Sequence, residues 1–147
     1  MTSAPAGKGG GAAAGATGGA ASGKPAGGAS AEAKALGDQA SNALDEGDFA
    51  RALQLAQSSI KLRRTARAYM LRARAEQRLG RVDDALSSLD AATELAPSSG
   101  AVWEQRGRIL WAARRRDEAR AAFQRFLELA PSAASAPEIL RLLNEPR

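Results

Sequence analysis

The chain has 147 residues, with 21 Lys and Arg against 16 Asp and Glu, so its formal net charge at pH 7 is +5. It contains neither Cys nor His, which excludes disulfide scaffolds, thiol nucleophiles, zinc ribbons and Ser-His-Asp triads. The length fits one domain, or a smaller domain with a tail.

Residues 1–32 are predicted to form a disordered tail rich in Gly and Ala. Residues 1–30 contain 10 Gly and 10 Ala, and no Leu, Ile, Val or aromatic residue precedes Leu36. Such a segment buries too little apolar surface to offset the entropy of ordering. Three glycines at 9–11 interrupt any signal-peptide core, and no run approaches the ~18 apolar residues of a membrane span.

The expected location is the cytoplasm. Arg outnumbers Lys 17 to 4 and Ala is abundant, a composition that suggests a GC-rich bacterial genome.

From about residue 33 the apolar residues recur at helical spacing. Phe49, Ala52, Leu53, Ala56 and Ile60 follow the i, i+3, i+4, i+7, i+11 pattern of one helix face. The segments that contain residues 82–93 and 119–127 show the same pattern, and strand-like alternation is absent from the sequence. The fold class is therefore predicted to be all-α.

The chain also repeats itself. The sequence Glu-Leu-Ala-Pro-Ser occurs at residues 94–98 and again at 128–132, an offset of 34 residues. The segment 80–85 matches 114–119 at the same offset, and 47–52 matches 80–85 at an offset of 33. A period of 34 residues built from two helices is typical of a helical repeat solenoid.

These residues resemble the tetratricopeptide-repeat family. The family's large, small, Gly, Ala, bulky, Ala and Pro positions are all matched in the second repeat, by Tyr69, Ala73, Gly80, Ala85, Leu89, Ala92 and Pro97. The resemblance implies three repeats at about 33–64, 65–98 and 99–134, followed by a capping helix within 135–147. Ser135 and Glu138 have the spacing of a capping box at the start of that helix.

No enzymatic activity, metal or cofactor is expected. The acidic residues lie mostly at equivalent polar positions of the repeats. The pairs at 83–84 and 117–118 open predicted helices, where negative charge favours the helix dipole. Nothing in the sequence predicts carboxylates that converge from different elements, as a glycosidase or a metal site would need.

The resemblance also implies a binding groove. In the family, the first helix of each repeat lines a concave surface, and here that surface would be basic at its centre. An acidic or mixed segment of a partner protein would fit it. The alternative is a solvated arginine face that only keeps an Ala-rich helix soluble. The partner-binding residues carried over by repeat position are Lys34, Arg67, Met70, Arg74, Gln77, Arg78, Arg108 and Trp111.

The two tryptophans are expected to differ, with Trp103 packed in the core and Trp111 accessible for recognition. The carboxylate clamp with which some relatives bind chaperone tails is absent. Its Lys, Asn and Arg positions correspond here to Gly37, Ser41, Leu71, Ala101 and Gln105.

Three functions stay open at this point. The first is a protein-interaction scaffold with an acidic or mixed partner. The second is nucleic-acid binding, suggested by a sequence pI near 10.4 but disfavoured by 4% aromatic residues and by arginines interleaved with acids. The third is self-assembly into a homo-oligomer through the first repeat or the C-terminal helix. A salt-dependent shift with generic DNA would favour the second, and a concentration-dependent mass the third.

Overall fold

The computed structural model describes residues 24–146, which form seven α-helices and no strand. The prediction of an all-α fold is confirmed. In chain order the helices are α1 (Lys24–Asp45), α2 (Phe49–Leu62), α3 (Ala66–Arg78), α4 (Val82–Leu95), α5 (Gly100–Ala112), α6 (Arg116–Leu129) and α7 (Ala136–Leu143). None of these helices combines the length and the apolar character that crossing a membrane requires.

Capping residues and prolines set several helix boundaries. Asp48 at the start of α2 and Thr65 at the start of α3 each accept a hydrogen bond from the backbone N–H three residues on, at 3.2 and 3.1 Å. These bonds satisfy donors that have no partner within the first helical turn. Pro97 and Pro131 come just after α4 and α6, where the proline ring prevents the helix from continuing.

The first six helices pack as three hairpins, α1–α2, α3–α4 and α5–α6. Neighbouring hairpins contact each other through α2 and α3 and through α4 and α5. The first helices of the hairpins also touch, α1 with α3 and α3 with α5. We call α1, α3 and α5 the A helices, and α2, α4 and α6 the B helices. Stacking in this way lets each hairpin share its apolar face with its neighbours, as in solenoid proteins.

Small residues on the A helices allow each hairpin to close tightly. One repeat position holds Ala40, Ala73 and Gly107, and all three residues are buried. A Cβ added at Gly107 would overlap the ring of Phe123, which is fully buried on α6. The third hairpin therefore needs a glycine at this position because an aromatic ring fills the space.

A polar pair joins the two helices of the middle hairpin. Glu76 on α3 is only 3% exposed, and its Oε1 accepts a hydrogen bond of 2.6 Å from Ser88 Oγ on α4. Its Oε2 accepts a second bond of 3.3 Å from Arg72 Nε. A buried carboxylate is costly unless it is paired and hydrogen-bonded, and these two partners meet that requirement.

The turns inside the hairpins share a left-handed residue. Gly47 and Gly80 occupy this position in the first two hairpins, with φ values of 83° and 82°. Arg114 occupies it in the third, with φ 65°. A residue with a Cβ is less favourable than glycine in this region by about 1 kcal/mol.

The tail predicted for residues 1–32 overlaps α1, which begins at Lys24. Ala33 is buried, and its carbonyl accepts a hydrogen bond of 2.7 Å from Ser59 Oγ on α2. Ser30 Oγ accepts another, of 2.6 Å, from Arg63 Nη1. These two contacts tie Ser30 and Ala33, near the start of α1, to the end of α2. The rest of the predicted tail, residues 1–23, lies outside the described residues.

The last helix, α7, lies within the segment predicted to cap the third repeat. Its Ile139 is fully buried, in one cluster with Phe123 and Phe126 of α6. This contact covers the apolar side of α6 that would otherwise face solvent.

The predicted capping box at the start of α7 is wrong. Ser135 makes no side-chain cap hydrogen bond, and its backbone is already right-handed helical, with φ −84° and ψ −7°. A capping serine normally has an extended backbone, which directs its oxygen back at the first turn. The carboxylate of Glu138 bonds to Arg108 on α5 instead.

Candidate binding groove

The candidate groove is the exposed face of the A helices, between α3 and α5. A shallow depression of about 250 Å³ lies there. It is lined by Arg74, Gln77, Ala101, Glu104, Gln105 and Arg108. Three of the eight residues predicted for partner binding, Arg74, Gln77 and Arg108, therefore meet at one place.

Arg74 is the least constrained cation of this depression. Its side chain is exposed, and it forms no ion pair or hydrogen bond with any other part of residues 24–146. An exposed, unpaired guanidinium keeps all five of its N–H donors for an incoming acceptor.

Arg108 stands in contrast, because two carboxylates hold it. Its Nη2 lies 2.9 Å from Glu104 Oε2 and 2.5 Å from Glu138 Oε1. Partial burial lowers the pKa of Arg108, but the hydrogen bonds to Glu138 and Glu104 outweigh burial and raise it. The hydrogen bond from Arg108 lowers the pKa of Glu138 below its usual value. The carboxylates of Glu104 and Glu138 therefore balance the positive charge of Arg108 in the groove.

Lys34 and Arg67 are also paired, at the α1 end of the A-helix face. Lys34 Nζ lies 3.1 Å from Asp38 Oδ2, and Arg67 Nη2 lies 2.9 Å from Asp38 Oδ1. The hydrogen bonds from Lys34 and Arg67 lower the pKa of Asp38. A Cβ at Gly37 would come within 2.9 Å of Arg67 Nη1, so the glycine leaves room for this arginine against α1.

Met70 and Gln105 connect the two A helices beside the depression. Gln105 Nε2 on α5 donates a hydrogen bond of 2.8 Å to the carbonyl oxygen of Met70 on α3. Met70 is half-buried and packs against the core cluster that contains Leu89 and Ile109. It supplies a partly accessible apolar contact, and Gln105 fixes the separation of the helices at this point.

Arg78 lies outside the depression that Arg74, Gln77 and Arg108 line. Its guanidinium carbon lies 4.5 Å from the centre of the Phe49 ring, at the start of α2. A cation over an aromatic face is an attractive arrangement in its own right. Arg78 therefore packs beside the turn of the first hairpin, outside the lining of the depression.

Exposure does not separate the two tryptophans as the sequence suggested, because both are half-buried. The Trp111 ring lies 6.0 Å from that of Phe123, and the guanidinium of Arg116 covers it at 4.0 Å. Trp103 packs against the core cluster that contains Phe123, and the guanidinium carbon of Arg106 lies 5.5 Å from the centre of its ring. Trp111 is thus partly accessible, with Arg116 over its ring, and its role in partner binding stays a prediction.

Sequence reasoning missed the place of Asp38 and Glu138 on this face, because it treated Asp38 as an ordinary polar position and Glu138 as part of a capping box. A signal existed for each of them. Glu138 follows Glu104 by 34 residues, so it occupies the same repeat position on α7 as Glu104 does on α5. For Asp38 the signal is Lys34 four residues earlier, at the spacing of an intrahelical ion pair, whereas nothing in the spacing indicates its second partner Arg67, 29 residues away.

The lining of the depression combines guanidinium and amide donors with carboxylate and amide acceptors. Among residues 24–146, no group of three or more acidic side chains is arranged to hold a metal ion. The clamp positions of chaperone-tail binders are occupied by side chains of other kinds. Gly37 and Leu71 are buried, and Gln105 is engaged with Met70.

Stacked helical hairpins with a polar A-helix face define an α-helical repeat protein. Two family models described as tetratricopeptide repeat match the chain, one over residues 38–100 and the other over residues 100–133. The chain belongs to the tetratricopeptide-repeat family.

Solved structures agree with this fold. The first TPR of Spaghetti (RPAP3) bound to the HSP90 peptide SRMEEVD is 24% identical, with a TM-score of 0.70 over 78% of this chain and 91% of that chain. The TPR domain of Arabidopsis OM64 is 22% identical, with a TM-score of 0.71 over 78% and 96%. The type III secretion translocator chaperone SycD of Yersinia enterocolitica is 16% identical, with a TM-score of 0.70 over 76% and 87%. At these identities the likeness concerns the fold alone. A comparison with curated protein sequences found no match.

Proposed function

We propose that this protein is a non-catalytic interaction scaffold that holds an extended segment of a partner protein against its A helices. The segment is acidic or mixed in charge. The observation that carries the proposal is Arg74, an exposed cation that no side chain of residues 24–146 pairs, in a depression whose other arginine is held by two carboxylates. The RPAP3 domain of similar fold binds a peptide with adjacent acidic residues, which supports a peptide as the kind of ligand.

The roles within the groove are unequal. Arg74 supplies the charge, and Gln77 beside it supplies polar contacts for a peptide backbone. Charge-assisted hydrogen bonds are stronger than neutral ones, so one carboxylate of the ligand at Arg74 fixes its register. Lys34 and Arg67 contribute a weaker positive potential at the α1 end of the A-helix face, because Asp38 balances part of their charge.

The test is an array of short unphosphorylated peptides graded in net charge, probed with the full chain. Binding is expected to increase with negative charge, and Arg74→Glu is expected to lower the affinity for the best acidic peptide about tenfold or more. Arg81→Glu is the matched control. It makes the same change of charge at an exposed arginine outside the depression, and it is expected to keep the binding.

Single reversal at Arg74 is a cleaner test than reversal at both Arg74 and Arg108. A glutamate at residue 108 would face Glu104 and Glu138 and would loosen α7 as well as the groove. Equal losses for Arg74→Glu and Arg81→Glu would contradict the groove. Duplex DNA that binds more tightly than any peptide, with a steep salt dependence, would favour the nucleic-acid alternative instead.

A further inference from the structure

The turn between α5 and α6 differs from the two equivalent turns in the type of residue at its left-handed position. Glycine occupies that position twice, at Gly47 and Gly80, whereas the third turn holds Arg114 with φ 65°. Arginine is less favourable than glycine there, and its side chain is exposed. Unfavourable backbone that persists at a surface residue points to a use for the side chain.

Arg114 lines an open cavity of about 580 Å³ beside the N-terminus of α6. The other lining residues are Arg116, Asp117, Arg120 and Pro146. Three guanidinium groups and one carboxylate therefore share the cavity, so its lining carries a net charge of +2. This cavity shares no residue with the depression around Arg74.

Arg116 is held in place by stacking. Its guanidinium lies 4.0 Å from the centre of the Trp111 ring, and its Nε is buried with no hydrogen-bond partner in the part of the chain that the structure describes. A stacked guanidinium loses little further freedom when it binds, and its planar N–H groups match two oxygens of one oxyanion.

Arg120 forms the fixed wall of the cavity. Its two Nη groups donate to the backbone carbonyl oxygens of Leu143 and Glu145, the latter at 2.7 Å. These acceptors are neutral, so the positive charge of Arg120 is not cancelled by them. Arg120 therefore both anchors the end of α7 and contributes field to the cavity.

We propose that this cavity is a binding site for a phosphate monoester, independent of the peptide groove. A phosphate monoester carries between one and two negative charges at neutral pH and three acceptor oxygens, which match the net charge and the donors of the lining. The cavity is much larger than one phosphate group, which favours a phosphate carried on a larger molecule, such as a phosphorylated protein segment. A phosphodiester carries one charge and fits the lining less well.

The test is calorimetric titration of the full chain with four probes. They are inorganic phosphate, a short Gly/Ala peptide with one phosphoserine, the same peptide with aspartate in that place, and a single-stranded DNA oligonucleotide. The phosphoserine peptide is expected to bind about tenfold or more tightly than the aspartate peptide. Inorganic phosphate that competes with it at similar affinity would show that the free ion suffices, and weaker competition would show that the carrier contributes. Either result supports a phosphate site.

Two variants locate the site. Arg114→Gly is expected to weaken the phosphoserine peptide about tenfold while the fold is kept, because glycine suits the left-handed turn. Arg81→Gln, which also removes one exposed positive charge, is the control and is expected to change the affinity by less than about twofold. The side-chain Nε–Hε resonances of Arg116 and Arg120 in NMR spectra are expected to shift on binding.

Three results would overturn the proposal. One is an aspartate peptide that binds as tightly as the phosphoserine peptide. Another is equal loss of affinity in Arg114→Gly and Arg81→Gln, since the effect would then be one of net charge only. The third is an oligonucleotide that binds more tightly than the phosphoserine peptide and with a steep salt dependence, which would indicate nucleic acid.

Discussion

The first and third hairpins share one backbone arrangement but fill the space between their helices differently. In the first, Ala40 and Ala56 are both fully buried, whereas the same two repeat positions of the third hold Gly107 and Phe123. The buried residues of the core around Ala40 and Ala56 are all alanine or leucine, with Phe49 packed against them, whereas the core of the third hairpin contains Phe123 and Phe126, with both tryptophans packed against it. The difference shows that apolar burial, and with it stability, is distributed unevenly along the solenoid.

The largest loss of stability is expected when an aromatic ring is removed from the core of the third hairpin. Phe123→Ala should lower the free energy of unfolding by about 3–5 kcal/mol, because it removes a fully buried ring and leaves a cavity. The matched change in the first hairpin, Ala56→Gly, should cost only about 1 kcal/mol. Urea denaturation followed by circular dichroism measures both. Similar losses would mean that the two hairpins are equally important for stability.

A second prediction concerns the contact between Gly107 and Phe123. Gly107→Ala should cost about 1–3 kcal/mol, since the new methyl group overlaps the ring. Adding Phe123→Leu should recover much of that loss, because the middle hairpin already accommodates Ala73 with Leu89 at these positions. A double-mutant cycle by urea denaturation measures the coupling. If the two changes are simply additive, the glycine is not there to make room for the ring.

The third prediction tests the turn in which the hairpins differ. Arg114→Gly should raise the free energy of unfolding by about 1 kcal/mol, and Gly80→Arg should lower it by a similar amount. Thermal unfolding of the two variants beside the parent chain measures the changes. A loss of stability in Arg114→Gly would show that the arginine side chain, rather than the backbone, decides the energy of this turn.

The smallest effect should come from the ion pair that joins α7 to α5. The pKa of Glu138 is lowered in the folded chain by its hydrogen bond from Arg108. A lowered carboxyl pKa means that the pair stabilises the fold above the ordinary value of 4.5 and stops doing so as the pH falls through the folded value. Glu138→Gln should therefore melt slightly below the parent chain at pH 7. The gap should close under acidic conditions, and a gap that persists there would argue against the pair as its source.

The hairpin architecture could be predicted because it is encoded in spacing. A 34-residue period, prolines after the B helices and small residues on the A helices all act locally or recur regularly. The start of α1 could not be read in this way, since the composition of residues 24–32 resembles the tail. The spacing also gives no sign that Ser30 and Ala33 bond to Arg63 and Ser59 of another helix.

The candidate site was predictable only in part. Repeat position brought Arg74, Gln77 and Arg108 together, because side chains at equivalent positions share a face. It could not show that Glu138 neutralises Arg108 or that Arg116 covers Trp111. The 34-residue spacing puts Glu138 at the same repeat position as Glu104, but it does not record which side chain of another helix the Glu138 carboxylate reaches through its rotamer.

The hydrogen bond between Glu76 and Ser88 bears on how a chain of similar hairpins avoids pairing its helices wrongly. Repeat proteins are prone to such misassembly because their helices are near copies of one another. If α3 paired with α2 or α6 in place of α4, Leu55 or Ala122 would stand at the position of Ser88 and offer Glu76 no hydrogen bond. A buried carboxylate left without its partner costs about 1–3 kcal/mol or more. The correct pairing of α3 with α4 is thus selected by chemistry as well as by shape.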